Sequence, residues 1–162
     1  MSDKITSLPR LKDILASLKV EGKKIVFTNG CFDILHLGHI KYLRKAKALG
    51  DILVVGLNTD SSVRKIKGSL RPIVPEDERA EILAALEMVD YVVMFSRETP
   101  EKIILELQPD IHVKGGDYTE EMLPEAKLVR SYGGKVAIIP LVEGKATTNI
   151  IREILDRYGN PE

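Results

Sequence analysis

Residues 30–39 read Gly-Cys-Phe-Asp-Ile-Leu-His-Leu-Gly-His, directly after the run Lys24-Ile-Val-Phe-Thr-Asn29. His36 and His39 stand three apart where an amphipathic stretch begins. Residues i and i+3 share a helix face, so both imidazoles can point the same way. The first N–H groups of a helix lack intrahelical partners and sit at the positive end of its dipole. Such an end is a ready site for phosphate. Two imidazoles added there describe a site for a polyphosphate whose charge rises during reaction. A lone histidine at a helix start is ordinarily solvated. Here two histidines, Gly30, Gly38 and a preceding strand occur together, which is the context the motif requires.

Three further clusters carry charge or loop chemistry. Lys65, Lys67 and Arg71 lie in the polar, Gly-containing segment that starts at Asn58. They read either as a solvated charge run or as a loop that closes cations over a triphosphate. Arg79 follows in Pro75-Glu-Asp-Glu-Arg, one turn into a helix, where it can pair with Glu76 or Glu78. Lys114-Gly-Gly-Asp-Tyr118 ends a strand, and two glycines there let backbone approach a ligand closely. Gly144-Lys-Ala-Thr-Thr148 opens the last helical pattern. A threonine at its N-cap would satisfy one orphan N–H, and the pair with Gly144 and Lys145 makes a second anion site.

Several chemistries are disfavoured. No Gly-x-Gly-x-x-Gly follows the first strand, and no Gly-Lys-Ser/Thr phosphate loop occurs. His36, His39 and His112 lack the Glu spacing of a zinc helix, so no resident metal is expected. Cys31 has no spacing signature and reads as a small loop or core residue. As the only cysteine it excludes an internal disulfide framework and fits a reducing compartment.

These residues must be held by a scaffold, and the hydrophobic pattern describes one. Strand-like runs fall at Lys24–Asn29, Ile52–Leu57, Tyr91–Phe95, Ile111–Lys114 and Lys135–Pro140, each rich in Val or Ile and bounded by Gly, Asp or Pro. Helical patterns lie between them at Leu37–Leu49, Pro75–Leu86, Pro100–Leu107 and Pro124–Tyr132, with a last helix from Thr148 to Tyr158. Near-continuous apolar strands alternating with helices predict an α/β fold: a three-layer, doubly wound, Rossmann-like parallel sheet of five strands. Its ligand site should lie at the carboxyl ends of the strands, at the switch point. One domain over 1–162 is expected, with the 1–22 segment forming a helix that packs on its outside. Residues 58–74 read as the longest irregular stretch.

Composition bounds the partners. Apolar residues are 44% and charged residues 30%, ordinary for a globular protein. Lys plus Arg and Asp plus Glu are both 24, so no global charge recruits nucleic acid or membrane. No apolar run approaches the ~20 residues needed to span a bilayer, and the N-terminus has no signal-peptide core. A cytoplasmic protein is expected.

Gly30-Cys-Phe-Asp33 with His36-x-Gly-His39, and Thr147-Thr148 opening the final helix, resembles the nucleotidyltransferase superfamily with the His-x-Gly-His signature. The likeness covers nearly the whole chain. It sharpens at Arg71-Pro-Ile-Val-Pro-Glu-Asp-Glu-Arg79, Ala84–Val92, Thr99-Pro, Pro109-Asp and Val113–Tyr118, where it looks like the heptose 1-phosphate adenylyltransferases of ADP-heptose synthesis for lipopolysaccharide. That domain is often fused behind a sugar kinase; no kinase-sized region stands here, so a stand-alone form is expected. Glycerol-phosphate cytidylyltransferases carry Arg and Ser where this chain has Leu141 and Ala146. This weakens the cytidylyl reading.

The resemblance implies transfer of AMP from ATP to a heptose 1-phosphate, with pyrophosphate leaving. It implies that His36 and His39 contact the triphosphate, that Lys67 and Arg79 bind phosphates, and that Thr147 and Thr148 hold the β- and γ-phosphates. Thr28, Asn29, Gly30, Cys31, Phe32 and Gly38 would line the nucleotide. Lys114, Gly115 and Asp117 would lie near the nucleotide or sugar phosphate. Asp33, Asp60 and Lys65 would serve the acceptor. Mg²⁺ would arrive with ATP, and a homodimer is expected. Open alternatives are transfer to glycerol phosphate, ethanolamine phosphate or flavin mononucleotide, and a nucleotide-binding sensor that does no chemistry.

Overall fold

Short runs of Val, Ile and Leu bounded by turn residues form five strands: Ile25–Gly30 (β1), Ile52–Asn58 (β2), Tyr91–Phe95 (β3), Ile111–Gly115 (β4) and Lys135–Ile139 (β5). The computed structural model describes residues 1–159. All strands are parallel, in the order β3-β2-β1-β4-β5. The chain therefore reverses its winding between β1 and β4, and that junction is the switch point where doubly wound sheets bind ligands.

Alternation along β1 sends residues to opposite faces. Val26 joins Leu53, Val55, Val92 and Val113 under the helices Leu37–Lys47 (α2) and Glu76–Ala84 (α4). Ile25 and Phe27 join Val54 and Val93 under Leu8–Val20 (α1), Glu101–Leu107 (α5) and Pro124–Ser131 (α6). Both faces are covered, which is why the strands carry little polar alternation.

The N-terminal helix packs on one face of the sheet through its apolar stripe. Leu11 and Leu15 of α1 are buried in the same core as Ile25 and Val54, and Ile5 bridges to Val92 at the sheet edge. One expectation needs correction, because segment 58–74 is not irregular: Asp60–Lys67 forms a helix (α3). The Thr59 side chain accepts from the Ser62 N–H at its start, and Gly68 ends it at φ +100°. It is eight residues long and buries only Ser62 and Val63, too little for a hydrophobic period to show. The last helix is Thr147–Tyr158 (α7).

The amino ends of the strands are closed by carboxylates. Asp110 accepts from the Ile25 N–H, Asp51 from Lys24 and Asp90 from Leu53, each at 2.7 Å.

Candidate active site

The carboxyl ends of β1, β2 and β4 open into a cavity of about 470 Å³. Two helix N-termini converge on it. At α2, His36 is the N-cap in extended conformation, and its Nδ1 accepts from the Gly38 N–H at 3.1 Å. The Nδ1 of His39 accepts from the His36 N–H at 3.3 Å. This is a capping box built from imidazoles in place of the usual hydroxyl and carboxylate. Because each Nδ1 is an acceptor, the neutral ring carries its proton on Nε2, leaving Nε2–H as a donor. The ring centroids lie 3.9 Å apart. Burial and the charge of Lys145 push His36 below its ordinary range. Burial, then the neighbouring His36, takes His39 down to about 4, against an opposing pull from Asp33. Both rings are neutral donors near pH 7.

Glycine is required at 38. A Cβ there would meet the His36 ring at 2.8 Å and Lys145 Cβ at 3.1 Å. The same logic applies at Gly115, where a Cβ would lie 3.0 Å from both Tyr42 and Leu141.

The loop from β1 to α2 is strained. Phe32 (φ 46°) and Ile34 (φ 48°) both adopt left-handed backbone, unusual for a bulky side chain and a β-branched one. Asp33 between them pins the loop. Its carboxylate accepts from Arg71 Nε at 2.7 Å and from the N–H groups of Ile73 and Val74. Burial pushes this carboxyl up, but those donors prevail and hold it below its usual range. The Asp33 carbonyl accepts from Thr147 Oγ1 at 2.6 Å, which locks α7 onto the same loop.

No threonine caps α7, contrary to expectation. Its N-cap is Ala146, which offers no side-chain acceptor, and Thr147 and Thr148 are the first two helical residues. The first donors of α7 therefore stay free to face a ligand. Both threonines line the cavity.

Arg79 also departs from expectation. It is 1% exposed, and its guanidinium is committed to the carbonyls of Val74, Cys31 and Asn58 and to Asp60 at 2.7 Å. It does not line the cavity and pairs with neither Glu76 nor Glu78. It ties the carboxyl ends of β1 and β2 to α3 and α4, so it is a positioning residue. Asp60 serves that same pair. Lys65 and Asp117 are exposed and stand outside the lining. Thr28 is buried beneath it, bonded to the Tyr42 hydroxyl at 2.6 Å and donating to the Val113 carbonyl. Asp33 reaches the cavity wall, but its carboxylate is spent on Arg71 and the backbone.

The cavity does gather Asn29, Gly30, Cys31, Phe32, His36, Gly38, His39, Lys67, Lys114, Gly115, Thr147 and Thr148. Lys67, Lys114 and Lys145 face it with no ion pair among the described residues. Burial raises the Cys31 thiol above its ordinary pKa despite nearby Lys67, Arg79 and Arg71, so it stays protonated. Sequence reasoning missed Tyr42, Asn58, Ile66, Glu98 and Val142, which also line the cavity. Tyr42 stands three after His39 on α2 and Ile66 beside Lys67 on α3, so local spacing could have found those two; Asn58, Glu98 and Val142 come in through the topology. His112 sits elsewhere, buried on β4 against Phe27 and 3.2 Å from Glu125. Among the described residues no cluster of three or more His, Cys, Asp or Glu forms a metal site.

Residues 27–154 match the model of the family described as cytidylyltransferase-like. The chain is 57% identical over 155 residues to the Bifunctional protein HldE of Syntrophotalea carbinolica, covering 96% of this chain and 32% of that protein. The HldE of Geobacter metallireducens is 56% identical over 156 residues, with the same coverage. The chain thus spans about a third of the length of the curated relatives it matches. A crystal structure described as the lipopolysaccharide core biosynthesis protein from Thermoplasma volcanium is 35% identical, with a TM-score of 0.62, over 76% of this chain and all of the other.

Proposed function

The chain belongs to the cytidylyltransferase-like family, and from that premise we propose that it moves AMP from ATP to a heptose 1-phosphate, giving ADP-heptose and pyrophosphate. The observation that carries this reading is the pairing of two neutral imidazole donors with two helix N-termini and three lysines that make no ion pair among the described residues, all in one cavity. Such a site neutralises growing phosphate charge and contains no activated nucleophile. A sugar 1-phosphate is itself an anionic nucleophile near neutral pH, its second pKa being about 6. Its oxygen attacks the α-phosphorus of ATP, the Pα–O–Pβ bond breaks in line, and pyrophosphate leaves. The Nε2–H groups of His36 and His39 donate to phosphate oxygens as charge builds. Lys145, Thr147 and Thr148 hold the β- and γ-phosphates, while Lys67 and Arg71 face the acceptor phosphate.

The heptose acceptor is supported by the motif likeness and by the likeness to the Thermoplasma protein. Adenine over cytosine is supported by Leu141 on the cavity wall where cytidylyltransferases place Arg. Mg²⁺ fits as an ion carried by ATP, since among the described residues no carboxylate cluster stands ready to hold it. A homodimer is supported by α7, which buries none of its residues and leaves Ile154, Leu155 and Tyr158 exposed. No helix among the described residues is long and apolar enough to cross a membrane, and a cytoplasmic site of action fits the substrates.

The test is pyrophosphate release with ATP or CTP against a panel of sugar and polyol phosphates. ATP with D-glycero-β-D-manno-heptose 1-phosphate should give the highest kcat/KM. Equal or better use of CTP, or preference for glycerol 3-phosphate, would overturn the assignment.

A further inference from the structure

One edge of the cavity has no role in binding phosphate. Apart from the committed Asp33, Glu98 is the carboxylate that lines it, and no hydrogen bond or ion pair among the described residues reaches Glu98. A carboxylate is unfavourable beside two anionic substrates unless it accepts hydrogen bonds from them. On a phosphorylated sugar the hydroxyls supply such donors, and one carboxylate can accept from two of them.

Asn29 lines the same cavity, and its Oδ1 is buried with no donor among the described residues, a state that is costly until something donates to it. Asn29 alternates with Thr28, which bonds Tyr42 of α2, and so follows Phe27 toward the face covered by α5 and α6. Glu98 lies on the segment between β3 and α5 and lines the same cavity as Asn29. That segment is held in place: the Arg97 carbonyl accepts from Asn58 Nδ2 at 3.3 Å and from Ser62 Oγ at 3.0 Å.

We propose that Asn29 and Glu98 read hydroxyl groups of the acceptor sugar, so that this edge selects a polyol phosphate. The inference rests on the proposed nucleotidyl transfer. The shared chemistry, a sugar diol, could also come from the ribose of ATP, but placement favours the acceptor. Leu141, Val142 and Gly115 give the β4–β5 side the apolar, close-approach surface that a base needs. Glu98 follows β3, three strand spacings from β4, or roughly 14 Å across the sheet. A ribose bonded directly to that base stays on the far side of β1. Lys67 and Arg71 stand on the β2 side, where the acceptor phosphate would sit.

The experiment is steady-state kinetics of Glu98→Gln and Asn29→Ala with ATP and heptose 1-phosphate, alongside calorimetric titration of ATP without acceptor. The exposed Glu98 is the safer variant for folding, and melting curves check both. KM for heptose 1-phosphate should rise about tenfold or more in Glu98→Gln, with ATP affinity unchanged. The preference for heptose 1-phosphate over ethyl phosphate should shrink by a similar factor. Weakened ATP affinity with an unchanged acceptor KM would assign the residues to ribose and overturn the proposal. Unchanged values for both substrates would overturn it too. Should wild-type protein use another sugar phosphate instead, the transfer assignment fails separately, and the same variants measured with that acceptor still decide the roles of Glu98 and Asn29.

Discussion

The two ends of the sheet treat charge in opposite ways. At the amino end carboxylates are taken up by backbone: Asp51, Asp90 and Asp110 accept from the N–H groups of Lys24, Leu53 and Ile25, each at 2.7 Å, and Lys47 closes on Asp90. At the carboxyl end Lys67, Lys114 and Lys145 face the cavity unpaired, and two histidines keep Nε2–H free. Arg79 follows the first rule even at the second end, since it is bound to Asp60 and backbone carbonyls, whereas Arg71 spends its Nε on Asp33 and still lines the cavity. The difference shows that proximity to the site does not make a charge functional. A charge whose partners are all internal holds the scaffold; one that folding leaves without a partner is available to a ligand.

Breaking an internally committed cation should give the largest effect. Arg79→Ala leaves Asp60 and three carbonyls without their donor, and loss of such a buried partner costs about 3–5 kcal/mol. A fall in melting temperature of about 10 °C is expected. A melting curve within a degree of wild type would show that Arg79 does not hold the strand ends.

His39→Ala should do the reverse. Loss of one donor to transition-state charge costs about 3 kcal/mol, so kcat should drop about a hundredfold with little change in the KM for ATP. The expected melting curve shows only the modest loss of a helix cap. Near-normal turnover in a folded variant would make the imidazole pair structural and place it with Arg79.

Asp110→Ala sharpens the contrast from the other end of the sheet. It orphans the Ile25 N–H and should cost about 1–3 kcal/mol of stability in denaturant titration. Its kcat/KM should match wild type, and an altered KM for ATP would mean that the two ends are coupled. Thr148→Ala is the counterpart at the cavity. Its hydroxyl makes no hydrogen bond among the described residues and caps nothing, so ATP affinity should weaken about fivefold at constant melting temperature.

The pH dependence is a milder probe. The folded pKa of His39, about 4, lies below its ordinary value, so on acidification the unfolded chain takes up that proton first. Stability is therefore lost as pH falls from about 6.5 toward 4, and Asp33, also depressed, adds to the loss further down. His39→Gln should flatten the stability loss between pH 6.5 and 5 in denaturant titrations at each pH. An unchanged slope would mean that His39 titrates in the folded protein as it does in the unfolded chain.

Much of this was legible in the linear chain. Strand positions, the parallel sheet and the helix carrying His36 and His39 follow from short-range patterns: apolar runs, turn residues and i,i+3 spacing. The motif residues at 29–32 and 36–39 belong to one strand–loop–helix unit, so their meeting in the cavity needed no tertiary knowledge. α3 escaped notice because a short, mostly polar helix buries too little to leave a period.

What only the tertiary structure decided was which charges are spent. Arg79 and Lys67 look alike in sequence, twelve positions apart and flanked by acids or turns. One is buried among carbonyls from three segments and the other is exposed at the cavity rim. Thr147 and Thr148 likewise read as a cap until Ala146 took that place and Thr147 turned to the Asp33 carbonyl, 114 residues away. Asn58 and Glu98 joined the site only through the strand order. Residue types and short spacings are local properties, and the sequence by itself determined them along with the fold they build. Partnership depends on contacts between distant segments, and only folding into one strand order settles which donors and acceptors remain for a ligand.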